Sequence, residues 1–239
     1  MKRLITILLL MLSALLAAAQ SNNAGTLKFM GIPIDGPKKS LIEKIEGKGF
    51  TYNPYKDCLR GQFNGRNVDV YVVDNHGTAY RVFVSFPECS ENRIRSEYNH
   101  LLNQFLRNDK YIGIKDLDEI GEKEDIYYQM EINKKHYGAS FAYVSPDVFD
   151  EEQIKMIHEI AEQVKVMNND DIQALGESLW ASYQYKSPSA STEEILTVMN
   201  KLLSIAYGNV WFTLHRDGGD YRIGLYYDNV KNMPNGEDL

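Results

Sequence analysis

Apolar residues recur along the chain with two different periods, which predict helices alternating with strands. After Gly36-Pro37, a helix is predicted from an apolar stripe: Leu41, Ile42 and Ile45. Gly47 and Gly49 end this pattern. A second helix is predicted after Ser90 from a one-sided apolar stripe: Ile94, Tyr98, Leu101 and Phe105. This stripe must pack on an apolar surface, and we expect the preceding strands to provide it.

Between these helices the period changes to two, which is typical of half-buried strands. Three strands are predicted: Cys58–Phe63, Asn67–Val73 and Thr78–Phe86. They are separated by Asn64-Gly65 and by the segment 74–77, which are strong turn signals because Asn and Gly tolerate positive φ. The stretch predicts a three-stranded antiparallel meander, preceded by a short extended segment at residues 27–34.

The second half of the chain continues the mixture of both periods. A charged, irregular stretch at 108–124 precedes a predicted hairpin of Ile126–Ile132 and Tyr137–Val144. Asp150 and Gln153 match a capping box, which predicts a helix there. Further elements are predicted as follows: a weaker helix from Asp170 to Leu179, a helix opened by Ser191 and Glu194, and a final hairpin of Asn209–Arg216 and Asp220–Tyr227.

Together these elements predict an α+β fold, an antiparallel sheet built of hairpins with helices mainly on one face. The segments 77–84 and 218–225 align without a gap and share a Gly, a Tyr and an Arg. This similarity indicates either two related lobes or only the common requirements of hairpins. The predicted segments are a signal peptide at 1–19, a leader at 20–26, one lobe at 27–145, a second lobe at 146–228 and a flexible tail at 229–239.

The N-terminal residues have the pattern of a secretory signal peptide. Lys2 and Arg3 precede an apolar run from Leu4 to Leu16, which ends in small residues of the kind that signal peptidase accepts. A membrane-spanning helix would need about 20 apolar residues, and this run is shorter. We therefore expect a periplasmic or extracellular protein that starts near Gln20 and inserts in no membrane after cleavage.

The charge of the chain argues against two classes of partner. The formal net charge is −7, and it becomes −9 once the two basic residues of the predicted signal peptide are removed. Nucleic acids and anionic membrane surfaces are bound through clustered Lys and Arg, which this acidic chain lacks. We therefore expect no nucleic-acid partner.

The chain contains two cysteines, Cys58 and Cys89. In an oxidising compartment a single disulfide is the obvious first hypothesis. The predicted meander, however, puts these residues at opposite ends of the sheet, whereas a bridge needs Cα atoms within about 7 Å. This geometry favours free thiols.

Several segments resemble secreted proteins of unknown function from Gram-negative gut bacteria. They are residues 27–36 (LKFMGIPIDG), 48–50 (KGF), 80–88 (YRVFVSFPE) and 235–239 (NGEDL). In the order of its elements this group is similar to the β-lactamase-inhibitor protein and to PepSY-like periplasmic modules, in which helices cover one face of an antiparallel sheet. The resemblance implies a fold and a compartment, and it carries no activity.

The motifs of cofactor, metal and nucleophile chemistry are missing from the sequence. His158-Glu159 has no second histidine four residues on, as a zinc-protease helix requires. The acidic run 116–119 lacks the alternating oxygen ligands of a calcium loop. We therefore expect no cofactor, metal site or catalytic residue. A hydrolase with two carboxylates in a cleft between the lobes is a second hypothesis, because sequence alone does not bring any acidic pair together.

The aromatic content indicates a binding surface. Tyr, Trp and Arg are common at interfaces, and the chain has 16 tyrosines. Strand alternation puts one set of such side chains on the face away from the core: Arg81, Phe83, Trp211, Arg222 and Tyr226. These are the predicted binding residues for an envelope or extracellular protein or peptide. The same pattern also fits residues of an ordinary core or surface. A structural component of the envelope is a third hypothesis, which an exposed sheet edge that pairs with another chain would favour.

Overall fold

The computed structural model describes residues 25–166 and 208–234. The helices within this part are α1 (Lys38–Glu46), α2 (Glu91–Leu106), α3 (Ile126–Glu131) and α4 (Glu151–Val166). The strands are β1 (Lys28–Phe29), β2 (Ile32–Pro33), β3 (Thr51–Asn53), β4 (Cys58–Phe63), β5 (Arg66–Asn75), β6 (Thr78–Ser85), β7 (Tyr111–Lys115), β8 (Gly138–Tyr143), β9 (Gly208–Asp217) and β10 (Asp220–Asn229). The predicted signal peptide, the weaker helix from Asp170 and the helix from Ser191 lie outside the described residues.

Eight strands form one antiparallel sheet in the order β3-β4-β5-β6-β10-β9-β8-β7. The α+β antiparallel fold predicted from the sequence is confirmed. The last hairpin lies inside this sheet, because β10 pairs with β6 and β9 pairs with β8. Strands from both predicted lobes are therefore interleaved, and the proposed boundary at residue 145 does not separate two sheets.

The meander of β4, β5 and β6 forms where the alternation predicted it. Its two loops have two residues each, and all four of these residues have positive φ: Asn64 (51°), Gly65 (71°), His76 (47°) and Gly77 (83°). Two such residues in succession give a hairpin turn whose twist matches that of the strands. The predicted turn signals therefore set the register next to each loop, and a shift between Val73 and Asp74 changes the register along the rest of β5 and β6.

The two aligned segments of the sequence pair with each other at the centre of the sheet. Val84 of β6 lies opposite Leu225 of β10, and these are equivalent positions in the ungapped alignment. An antiparallel pair of equivalent residues implies a local two-fold axis through that point. The sheet order β5-β6-β10-β9 places the two hairpins on opposite sides of this point, and their origin by duplication stays a prediction.

One face of the sheet, here called the core face, carries the main apolar cluster. Its strands contribute Val70, Val82, Leu225, Phe212 and Phe141, all buried. Helix α2 packs here, because Tyr98 contacts Phe212 edge-on and Phe105 stacks on Phe141. The buried residues of α1, Leu41 and Ile45, belong to the same cluster.

The stripe predicted on α2 is buried, but its position on the sheet differs from our expectation. We expected α2 to cover the meander, whereas its rings lie against β8 and β9 on the other half of the sheet. Helix α1 packs against β4, β5 and β6 instead. This division leaves a wedge between α2 and the meander.

Three local predictions were wrong. Residues 126–131 form a helix and not a strand, because the Asp125 carboxylate accepts a hydrogen bond from the Tyr128 amide and caps its start. On its outer side β8 pairs with β7, which lies inside the stretch predicted to be irregular. Residues 27–34 form a small hairpin, β1–β2, because Met30 and Gly31 both have positive φ.

Helix α4 begins at the predicted capping box, where the Asp150 and Gln153 side chains bond each other's backbone amides. Its His158 ring contacts the carbonyl of Asp109, which places the helix beside the β7–β8 edge. At this edge the sheet is buried on its second face as well, through the cross-strand pair Ile112 and Ala142. None of the helices within the described residues has the length and apolar character needed to cross a bilayer.

Candidate functional site

Four aromatic rings form a continuous stack across the middle of the second face. Tyr71, Phe83, Tyr226 and Trp211 lie on the neighbouring strands β5, β6, β10 and β9, and each is the direct cross-strand partner of the next. Successive ring centroids are 5.5, 4.6 and 3.8 Å apart, with interplanar angles of 22°, 17° and 6°. We call this row the aromatic ladder and its side of the sheet the ladder face.

The ladder follows directly from the register of the strands. Residues directly opposite each other in a sheet have Cβ atoms about 5 Å apart, so aromatic rings on such positions meet. Stacked ring pairs contribute about 0.5–1.5 kcal/mol each beyond their burial. All four residues are half-buried, so part of each remains accessible to solvent.

An ion pair supports one flank of the ladder. Arg81 donates to both carboxylate oxygens of Asp228, its cross-strand partner, from Nε at 2.6 Å and from Nη2 at 2.9 Å. Asp228 also accepts a hydrogen bond of 2.8 Å from Trp211 Nε1. The guanidinium carbon of Arg81 lies 5.4 Å from the ring centre of Tyr226 and 5.8 Å from that of Trp211. Asp228 therefore fixes both the cation and the indole.

The environment of this pair determines its charge state. The Asp228 side chain is only 6% exposed and that of Arg81 is 24% exposed. The hydrogen bond to Asp228 raises the pKa of Arg81, so Arg81 stays charged. The two charges compensate each other on this flank of the ladder.

The other flank of the ladder carries a second cation, Arg222. Arg222 and His215 are cross-strand partners on the ladder face. The buried Nε of Arg222 has no hydrogen-bond partner within the described residues. Burial lowers the pKa of His215, and the positive charge of Arg222 lowers it further, so at neutral pH the imidazole is uncharged and Arg222 carries the positive charge of this flank.

Gly224 makes room for the ladder between these groups. A Cβ atom at this position would lie 3.0 Å from Phe83 Cε2 and 3.1 Å from both His215 Nε2 and Tyr226 Oη. The side chains of β6, β9 and β10 therefore converge over the bare backbone of Gly224. A side chain here would push them apart.

Cys58 lies at the β4 end of the ladder and contacts Tyr71. Both cysteines are buried and free, as the geometry of the predicted meander favoured. Burial raises the pKa of the Cys58 thiol, and it raises that of Cys89 to about 11. Neither thiol therefore has the lowered pKa of a nucleophilic cysteine.

All five predicted binding residues lie on the ladder face and are half-buried. Phe83, Tyr226 and Trp211 belong to the ladder itself, and Arg81 and Arg222 flank it on opposite sides. Sequence reasoning missed Asp228 and left the side of Tyr71 open. The parity of the two-residue turn would have paired Tyr71 with Val82 on the core face. The register of β5 against β6 shifts between Val73 and Asp74, and this irregularity places Tyr71 opposite Phe83.

A cleft of about 490 Å³ lies on the core face, in the wedge between α2 and the meander. Among the described residues that line it, Glu97 is the only carboxylate. A carboxylate-based hydrolase needs a second acid in the same cleft. In the part of the chain that the structure describes, two carboxyl groups have clearly shifted pKa values, Asp57 and Glu124. Both pKa values are lowered, whereas a general acid needs a raised one.

Within residues 25–166 and 208–234, no group of three His, Cys, Asp or Glu side chains is placed to hold a metal ion. No family model, curated protein or solved structure matches the chain.

Proposed function

We propose that this protein is a secreted, non-enzymatic binding protein that recognises a protein or peptide of the cell envelope through its ladder face. The observation that carries the proposal is the aromatic ladder with its two flanking arginines. Trp, Tyr and Arg are the residue types that contribute most of the energy at protein interfaces. Here they form one row across four central strands.

The ladder is already organised for binding. Its rings are held by stacking and by the Asp228 ion pair, so a partner would cost these side chains little conformational entropy. Because the rings face one another, they present their edges outwards. Flat stacking of a sugar ring on them is therefore disfavoured, and contact with the side chains of a peptide is favoured.

Arg222 supplies the specific polar contact in this proposal. Its positive charge lies beside the ladder, and its buried Nε has no hydrogen-bond partner among the described residues. A carboxylate of the partner would pair with the guanidinium group of Arg222, a residue that is only half-buried.

The competing functions have less support. A two-carboxylate hydrolase would require a second acid beside Glu97 in the cleft on the core face. A structural component that polymerises through its sheet edges would require long, regular edge strands. The edge strands of this sheet are β3, with three residues, and β7, whose register shifts at Gly113.

The binding proposal is tested with a displayed library of random peptides. We expect selected peptides to bind the wild-type protein at least about 10-fold more tightly than the variants Phe83→Leu and Arg222→Gln, as loss of one hot-spot contact predicts. Tyr55→Ala is the matched control, because Tyr55 is 98% exposed and stands outside the ladder. Equal binding by all four proteins, or a library that yields no binder, would overturn the proposal.

The secretion part of the proposal has its own test. In a Gram-negative host, cell fractionation should place the protein outside the cytoplasm, and mass spectrometry should give a mature chain that starts near Gln20. A protein that is found in the cytoplasmic fraction and still carries residues 1–19 would contradict the secretion proposal.

A further inference from the structure

The cleft on the core face combines an apolar floor with positive charge at its rim. Its floor is formed by Phe86, Leu101 and Ile223, which are all buried in the main cluster. Arg66, at the start of β5, and Arg93, in the first turn of α2, stand at its wall. At about 490 Å³ the cleft is within the usual size of small-molecule sites, about 300–1,000 Å³.

The charges in the cleft do not cancel. Arg66 Nη2 and Arg93 Nε both contact the same carboxylate oxygen of Glu97, at 2.7 and 2.8 Å. One carboxylate therefore faces two guanidinium groups, which leaves a local charge of one positive unit. Each guanidinium uses one nitrogen in this pair, and a guanidinium carries five N–H donors in all. This positive charge lies in a protein whose net charge is negative.

We propose that the cleft binds a small amphipathic anion. The apolar body of the ligand would lie on Phe86, Leu101 and Ile223, and its carboxylate or sulfonate would pair with Arg66 and Arg93. This inference does not depend on the proposed function, because the cleft lies on the opposite side of the sheet from the ladder face.

Two fluorescent probes test the proposal, because they share one aromatic body and differ in charge. They are 1-anilinonaphthalene-8-sulfonate and the uncharged N-phenyl-1-naphthylamine. For the folded protein, we expect saturable one-to-one binding of the sulfonate at least about 10-fold tighter than that of the neutral probe, since a charged hydrogen bond contributes about 1.5–3 kcal/mol. Equal affinities, or no saturable binding of the sulfonate, would overturn the proposal.

Three variants locate the binding. Arg66→Gln should weaken the sulfonate at least about 10-fold. Arg60→Gln is the matched control and should leave binding unchanged, because its side chain is 65% exposed and pairs with Asp69 on the same hairpin. Ser96→Trp fills the mouth of the cleft from an exposed position of α2 and should abolish binding even if Arg66→Gln fails to fold.

Two further measurements separate this cleft from other surfaces. Phe83→Leu, on the ladder face, should leave binding of the sulfonate unchanged. Octanoate, as a free aliphatic anion, should displace the probe, whereas vesicles of phosphatidylglycerol should not retain the protein. Retention by the vesicles without displacement by octanoate would indicate a membrane surface instead and would contradict the proposal.

Discussion

Trp211 and Tyr226 are cross-strand partners whose rings stack at 3.8 Å with an interplanar angle of only 6°. Tyr226 continues the stack to Phe83 on the next strand. A slip of one residue in any of these strands would turn its ring to the core face. The ladder therefore fixes the register of the central strands as well as forming the candidate binding surface.

The first prediction concerns the stability that the ladder provides. Phe83→Ala removes the ring that stacks on both Tyr71 and Tyr226, so we expect the free energy of unfolding to fall by about 1–3 kcal/mol. Urea denaturation followed by circular dichroism measures the change. Tyr55→Ala removes an exposed aromatic side chain and should change stability by less than about 0.5 kcal/mol. Equal losses in the two variants would show that the stack contributes nothing specific.

A second prediction tests the convergence of side chains over Gly224. Gly224→Ala places a methyl group about 3 Å from the ends of Phe83, His215 and Tyr226. We expect these side chains to move and the protein to lose about 1–3 kcal/mol, with a changed near-ultraviolet circular dichroism spectrum from the disturbed stack. The control is Gly219→Ala, where a Cβ atom would meet nothing within 4 Å. An unchanged near-ultraviolet spectrum for Gly224→Ala would contradict the ladder geometry.

Local signals were enough to predict much of the sheet. The turn residues Asn64-Gly65 and the segment 74–77 gave the meander, and alternation alone placed Arg81 and Phe83 on one face and Val82 on the other. Each of these inferences depends only on residues close in the chain. The same is true of the helix start at Asp150, where both partners of the capping box lie within one turn.

Long-range features were beyond the sequence. That β10 inserts beside β6 depends on pairing between residues about 140 positions apart, and no local pattern specifies it. The ion pair of Arg81 with Asp228 follows from that pairing, so it was missed together with it. The helix at Ile126 was mistaken for a strand because an apolar residue at every second position also fits a short helix when the cap at Asp125 is overlooked.

The third prediction concerns acid stability. Burial raises the carboxyl pKa of Glu124, but hydrogen bonds from Lys135, Tyr137 and Gly121 outweigh it and leave the pKa below its ordinary value. Such a group stabilises the fold above the pKa of the unfolded state, about 4.3, and this contribution is lost as the pH falls through the lower folded value.

Glu124→Gln should therefore reduce the free energy of unfolding at pH 7. The difference in this free energy between the variant and the wild-type protein should become smaller from about pH 5 to about pH 3, where the carboxylate becomes protonated. Urea unfolding at several pH values measures this difference. Glu122→Gln, which changes an exposed carboxyl in the same loop, should give a smaller difference at pH 7. A difference for Glu124→Gln that is constant with pH would show that its carboxylate is not responsible.

The last prediction concerns the two cysteines. Cys58 begins β4 and Cys89 follows β6, two strands away, and both thiols are buried and free. At pH 8, about half a unit below the ordinary thiol pKa, the folded protein should react slowly with Ellman's reagent. After unfolding in guanidinium without reductant, two thiols per chain should react with the reagent, because the chain contains two cysteines. If the two cysteines formed a disulfide, no thiol would react until a reductant was added.

The raised pKa of Cys89 adds a dependence of stability on alkaline pH. A group whose pKa is higher in the folded state stabilises the fold below its unfolded pKa, about 8.5, and that stability is lost as the pH rises through the folded value of about 11. Cys89→Ala should therefore lose less stability than the wild-type protein between these two pH values. The comparison uses urea unfolding at pH 8 and pH 10, which lie below and above the unfolded thiol pKa of about 8.5. An identical loss of stability in both proteins would show that Cys89 is accessible to solvent in the folded state. It would contradict the burial of this thiol beside Tyr221, with which Cys89 pairs through its backbone.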